Sequence, residues 1–260
     1  MNNSAGRWTG DFWYALSNLV LKDFRVRYRN MSLGVFWSLL NPLIMMGVLT
    51  FVFTQVFPAQ NPRTFPVFVL CGLLPYNFFS LAWSTGTTSL IDNSGLIRKI
   101  PVPREIIPVA SVLSNFAHTL IQMTLLLGAT LILGFHVTIQ WLWLPVIWAF
   151  GVLFVTGLAL ATSVLAVYIR DMRYVVESIN LVLFWLVPIF YPFSMIPPRY
   201  GPIYQMNPVA AMVLAQRNVL MDGIAPPETL LMKLAGASVL VFLLGWFTFQ
   251  RLKHRLYDYL

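Results

Sequence analysis

The sequence predicts an all-α polytopic membrane protein with six transmembrane helices. Three observations predict it. The 260 residues are 58% hydrophobic and only 10% charged, whereas soluble domains carry about 25% charged residues. The apolar residues fall into six stretches of spanning length, separated by short or polar intervals. Thirteen of the 17 lysines and arginines fall on one side of the resulting zigzag, and only Arg63, Arg199, Arg217 and Lys233 fall on the other. By the positive-inside rule both termini are expected in the cytoplasm.

The elements follow in order within a single domain, 1–260. Residues 11–30 read as an amphipathic interface helix. Trp13, Leu16, Leu19, Val20 and Phe24 share a face, and Lys22, Arg25, Arg27 and Arg29 load its second half. Such a helix lies at the membrane surface, either as a simple anchor or also against a cytoplasmic partner. The first span is 35–57, about 34 Å long against a hydrocarbon core of about 30 Å. Asn41-Pro42 predicts a kink in its first third. A short turn at 58–64 leads to the second span, 65–83. The polar loop 85–105 holds Asp92, Arg98, Lys99, Arg104 and Glu105, with room for a short helix before Pro101 and Pro103.

The third span is 106–135, the fourth 141–168 and the fifth 175–193, with Pro188 bending the end of the last. Residues 194–229 contain six prolines, yet 209–221 is an apolar stretch too short to cross as a helix. Two short re-entrant helices divided near Asn207-Pro208 fit this segment, as does a surface loop with one amphipathic helix. Irregular backbone at membrane depth requires cover from protein or a watery cavity. The sixth span is 230–249, with Lys233 snorkelling near its start.

Several function classes are excluded or disfavoured. The net charge of +8 does not indicate nucleic acid, because the basic residues cluster at the ends of apolar runs, where anionic headgroups explain them. No cleavable signal peptide is expected, since the first 33 residues hold seven charges and no apolar core. Cys71 is the single cysteine, so neither an intrachain disulfide nor a cysteine metal cluster can form. No G-x-x-x-x-G-K-[ST] or H-E-x-x-H motif occurs, and His118, His136 and His254 are widely separated. No catalytic residue, metal site or resident cofactor is expected.

Two patterns are candidates for a polar or aromatic passage. Ser111, Asn115, His118 and Gln122 fall at i, i+4, i+7 and i+11 of the third span and share one face. They suit interhelical hydrogen bonding, the lining of a conduit, or a proton relay through His118. Aromatics make up 15% of the chain. Those of the first and fifth spans, Phe53, Phe57, Trp185 and Tyr191, suit either an interfacial belt or a conduit whose rings meet apolar sugar faces. Arg170, Asp171, Arg173 and Glu177 form a charged corner of structural character.

At this point the chain resembles a known family. The runs RVRYRNMSLGVFWSLLNPLIM (25–45), GLLPYNFFS (72–80), NSGLIRKIPVPREIIPVAS (93–111) and MNPVAAMVLAQRNVLM (206–221) resemble the ABC-2 type permeases of bacterial polysaccharide export. These include the O-antigen, capsular polysaccharide and teichoic acid exporters. The resemblance implies a homodimer in the bacterial inner membrane, moving a lipid-linked glycan along the subunit interface. It implies a separate cytoplasmic ATPase dimer that supplies ATP and Mg, consistent with the missing P-loop. It also implies a coupling helix at about 90–100, with Leu90, Asn93, Ser94, Gly95, Leu96, Arg98 and Lys99 facing that ATPase. An ABC-2 drug or lipid exporter is the alternative. A non-transport membrane scaffold is a third class.

Overall fold

The computed structural model describes residues 11–29, 31–56, 61–99 and 102–253. Phe57, Ile100, Pro101 and His254, all within the readings above, lie outside the described residues. Every regular element among the described residues is helical. The chain runs α1 (Phe12–Tyr28), α2 (Phe36–Phe51), α3 (Phe65–Asp92), α4 (Ser94–Lys99) and α5 (Ile106–Ile132). It continues with α6 (Trp143–Tyr168), α7 (Met172–Leu186), α8 (Gly201–Met206), α9 (Pro208–Leu220) and α10 (Glu228–Leu252). A π-helical turn, Val52–Val56, extends α2, and a 3-10 turn, Ile139–Leu142, leads into α6.

Among the described residues, five helices are long and apolar enough to cross a membrane: α2 with its π turn, α3, α5, α6 with its 3-10 turn, and α10. The expected fifth span is different. Its helix, α7, has 15 residues, or about 22 Å, short of the roughly 30 Å core. It stops at Leu186, seven residues before the expected end. Val187 precedes a proline and adopts an extended conformation, ψ 134°, because the Pro188 ring disfavours the helical region for its predecessor. Pro188 thus ends the helix rather than bending it.

The second span also departs from expectation. Instead of stopping at 83, α3 runs on to Asp92, 28 residues in all. Its last turns are polar but satisfied. Thr87 Oγ1 donates to the Trp83 carbonyl at 2.8 Å and lies 2.7 Å from Thr162 Oγ1 of α6. The first part of the expected loop 85–105, through Asp92, therefore belongs to α3, and the short helix foreseen in it is α4.

Packing is organised around α3, whose residues from Phe65 to Leu90 are largely buried. α5 and α6 flank it, and α9 covers its Phe65 end. Asn207 caps α9 by accepting from Val209 N at 3.0 Å, with Pro208 in the first position. Helices α6 and α10 approach closely. A Cβ on Gly245 would lie 1.9 Å from the Gly157 carbonyl oxygen, so the crossing requires glycine. At the α4 end of the bundle, Tyr168 donates to the Leu252 carbonyl at 2.8 Å, and Arg104 bonds the Lys253 carbonyl. α2 and α7 lie at the periphery, with Phe36, Val48, Phe51, Leu181, Val182 and Trp185 exposed.

Candidate functional site

At the α4 end, α1 packs along α5. Leu16 is buried against Ile106 and Ala110, and twelve residues later Tyr28 reaches His118. The two helices thus run side by side through the first turns of α5. Asp11 starts α1 by accepting from Trp13 N at 2.9 Å. The expected apolar face holds for Leu16, Leu19, Val20 and Phe24, which are buried or half-buried. Trp13 is 74% exposed and stands off that face.

The four basic residues of α1 separate into two roles. Arg25 and Arg29 are exposed. Lys22 Nζ donates to Asn93 Oδ1 at 2.6 Å and lies 3.3 Å from the Asp23 carboxylate. Arg27 turns inward, donating from Nη2 to Asn115 Oδ1 at 2.6 Å. Burial holds its guanidinium below the usual arginine range, and the same burial pushes the Tyr28 phenol up. The Tyr28 hydroxyl bonds His118 Nδ1, and the two rings stack 6.0 Å apart.

Asn93 belongs to the expected coupling segment. Its Nδ2 donates to the Ser89 carbonyl at 2.9 Å, fixing the turn between α3 and α4. In α4, Arg98, Lys99 and Gly95 are exposed, and Leu96 and Ser94 are half-buried. Ile97, which the sequence reading passed over, is the anchor. It is 6% exposed and packs with Ile107, Leu160, Val164, Val167 and Phe249, in the cluster that also holds Leu90. The exposed face of α4 is thus held on a buried aliphatic peg.

The polar stripe of α5 is a seam between helices. Asn115 Nδ2 donates to Thr85 Oγ1 at 2.8 Å, and Ser111 Oγ lies 3.3 Å from the same oxygen. Gln122 Nε2 donates to the Ser38 carbonyl of α2 at 3.0 Å and lies 3.1 Å from His118 Nε2. These contacts join α5 to α1, α2 and α3. One edge of the seam borders a cavity of about 280 Å³.

The aromatic candidates gather at the other end of the bundle. Phe53 stacks on Phe190 with centroids 5.3 Å apart, and Trp185 meets the same ring edge-on at 5.4 Å. Tyr191 donates its hydroxyl to the carbonyls of Trp185 at 3.1 Å and Leu186 at 3.0 Å, satisfying the open end of α7. Trp185 is 62% exposed. Phe53, Trp185 and Tyr191 therefore come together around Phe190.

Arg217 was counted in the sequence only as a charge of the minority side. It is 6% exposed, on α9. Its Nη1 donates to the Pro188 carbonyl at 2.6 Å, and its Nη2 donates to Ile189 at 2.6 Å and Phe68 at 3.2 Å. The guanidinium carbon sits 3.5 Å from the centre of the Phe68 ring. Gly72 leaves room for this. A Cβ there would lie 2.8 Å from the Ile189 backbone and 3.1 Å from Arg217 Nη2. The non-helical backbone after α7 is thus held by one arginine.

The sequence pattern of the ABC-2 type transporter family matches residues 14–221. The chain belongs to that family. The chain is 30% identical over 235 residues to the O-antigen export system permease protein RfbA of Klebsiella pneumoniae, covering 90% of each. It is 28% identical over 228 residues to the protein of the same name from Myxococcus xanthus, covering 87% of each. It is 25% identical over 232 residues to the polysialic acid transport protein KpsM of Escherichia coli, covering 87% of this chain and 89% of that protein. The ABC-2 match takes in α1 to α9, and so includes the α1–α5 junction, the α4 peg and the Arg217 clamp. Two further polar residues of this ABC-2 chain escaped the sequence reading. Asn180 of α7 donates to Ser84 Oγ at 3.1 Å, and Asn77 of α3 borders the cavity. An amide within an apolar run was the available signal for both.

Proposed function

We propose that this chain is the membrane-spanning permease subunit of an ATP-binding cassette exporter that moves a lipid-linked polysaccharide, O-antigen above all, across the bacterial inner membrane. The observation that carries this reading is the similarity to O-antigen export permeases over 90% of the chain. In this reading two copies form the pathway, and a separate cytoplasmic ATPase dimer binds ATP and Mg. The exposed face of α4, with Gly95, Arg98 and Lys99, docks on that ATPase. The basic face of α1, with Arg25 and Arg29, lies at the same surface. Both termini are cytoplasmic. The segment 187–193 completes a sixth crossing begun by α7, and α8 and α9 re-enter the outer mouth, where Arg217 covers the irregular backbone in the manner such backbone requires.

The aromatic group of Phe53, Trp185 and Tyr191, with Phe57, contributes ring surfaces on which sugar C–H faces slide. The experiment is reconstitution of the chain with its ATPase subunit in proteoliposomes. Hydrolysis stimulated by lipid-linked polysaccharide, and not by amphipathic drugs, is expected. Stimulation by drugs alone would reassign the chain to an ABC-2 drug or lipid exporter.

A further inference from the structure

The cavity beside the α5 seam has a chemistry of its own. It is bordered by Asn41 of α2, by Asn77, Ser80 and Ser84 of α3, and by His118 and Gln122 of α5. Asn77, Ser80 and Ser84 fall at i, i+3 and i+7, so they share one helix face. No lysine, arginine, aspartate or glutamate borders it. Its apolar contribution comes from Phe78 and Leu81. Amides and hydroxyls beside apolar surface, with no fixed charge, match the hydroxyl rim and C–H faces of an uncharged sugar. The volume, about 280 Å³, falls just below the roughly 300–1,000 Å³ of ligand pockets, and suits a short stretch of glycan.

Asn41 adds a second argument. It is exposed on α2, one of the helices of spanning length. A carboxamide turned toward hydrocarbon is costly, and polar groups at this depth ordinarily face a partner or a watery path. Asn41 is the polar member of a face that otherwise exposes Trp37, Ile44 and Val48, and its carboxamide borders the cavity. Asn180, which holds the Ser84 hydroxyl at 3.1 Å, keeps part of the opposite wall in place.

We propose that Asn41 and Asn77 form a contact site for the hydroxyls of uncharged sugar units in transit, on the α2–α3–α5 face. This rests on the reading of the chain as a polysaccharide permease. It adds a specificity: the lining itself presents amides, hydroxyls and an imidazole to neutral sugars, with the Arg27 guanidinium behind it engaged by Asn115 Oδ1.

The test uses the permease–ATPase complex in proteoliposomes, with a neutral lipid-linked O-polysaccharide as probe. In Asn41→Leu/Asn77→Leu the ratio of polysaccharide-stimulated to basal hydrolysis should fall roughly tenfold, the effect of losing two or so hydrogen bonds. Asn77→Gln should restore most of it. Stimulation in the wild-type complex that persists undiminished in the double variant overturns the contact site alone. No stimulation in the wild type overturns the permease reading and this site with it. Cysteine labelling gives a readout independent of variant activity. Asn41→Cys and Asn77→Cys should react with a charged methanethiosulfonate, and the polysaccharide should slow them several-fold. Cys71 is fully buried and gives a silent background. Failure of both to react, while Arg63→Cys does, would place these positions against lipid and overturn the proposal.

Discussion

Arg217 Nη2 donates to the Ile189 carbonyl at 2.6 Å, so a side chain of α9 satisfies the non-helical backbone that follows α7 once it stops at Leu186. Truncating the guanidinium strands the Pro188 and Ile189 carbonyls in a buried setting. Each unsatisfied group costs about 1–3 kcal/mol. Arg217→Leu should lower thermal stability in detergent sharply. Arg217→Lys should recover only part, because a single ammonium does not reproduce the planar fork. A melting temperature within a degree of wild type for Arg217→Leu would show that the clamp contributes nothing.

The Gly157–Gly245 crossing gives a second stability test. Gly245→Ala places a methyl carbon 1.9 Å from the Gly157 carbonyl oxygen, so α6 and α10 must separate. Overpacking of this kind costs about 1–3 kcal/mol. Gly236 has open space at its Cβ position, so Gly236→Ala on the same helix is the control. Equal thermal unfolding of the two variants would contradict the close packing.

The α4 helix separates anchoring from docking. Ile97→Ala removes the buried peg and should destabilise the α3–α4–α5 junction by about 2–5 kcal/mol, seen as faster proteolysis near residue 99. Leu96→Ala with Arg98→Glu and Lys99→Glu changes mainly the outward side. That triple variant should insert and fold, yet lose ATPase co-purification and export. Exposed ion pairs contribute only about 0–1 kcal/mol apiece, which is why three changes are combined. Normal export with an intact complex would remove α4 from energy coupling.

Among the aromatics, exposure sorts the expected effects. Trp185 is 62% exposed, so Trp185→Ala should reduce glycan export with little loss of folded protein. Phe53 packs between Phe65 and Phe190, and Phe53→Ala should lose both, since phenylalanine truncation in a core costs about 3–5 kcal/mol. The exposed Phe247 of α10 is the control for Trp185. If Phe247→Ala and Trp185→Ala reduce export equally, the ring surface is a lipid belt.

The proposed orientation rests on the charge asymmetry. On a Cys71→Ala background, Asn2→Cys should resist an impermeant thiol reagent applied to intact cells, whereas Arg63→Cys should react. Reaction of Asn2→Cys from outside would invert the topology.

Much of the fold was legible because the bilayer imposes length. The five long apolar runs and the division at Asn207-Pro208 could be read directly. The polar end of α3 could not. Thr87 and Ser89 look like loop residues, but each bonds a carbonyl of its own helix, to Trp83 and Gly86, and Thr87 also meets Thr162. Such bonds depend on a neighbouring helix that periodicity does not reveal. Arg217 was the reverse case. An arginine alone in the apolar run 209–221 was a signal of a buried role, whereas counting it as a surface charge hid that role. The α5 stripe was visible as a face, but its partners Arg27, Tyr28 and Ser38 come from segments whose placement only tertiary structure supplies.

The side-by-side packing of α1 and α5 has a mechanical consequence. Lys22 grips Asn93 at the α3–α4 turn, and Tyr28 grips His118 inside the bundle. The six-residue step between those grips is a rigid strut of about 9 Å. Displacing the α3–α4 turn therefore drags the strut, and the strut displaces the third and fourth turns of α5 directly, bypassing the Pro103 bend where α5 begins. A load applied at α4 would be divided over two routes of unequal length. The segment of α5 between them is sheared rather than simply shifted.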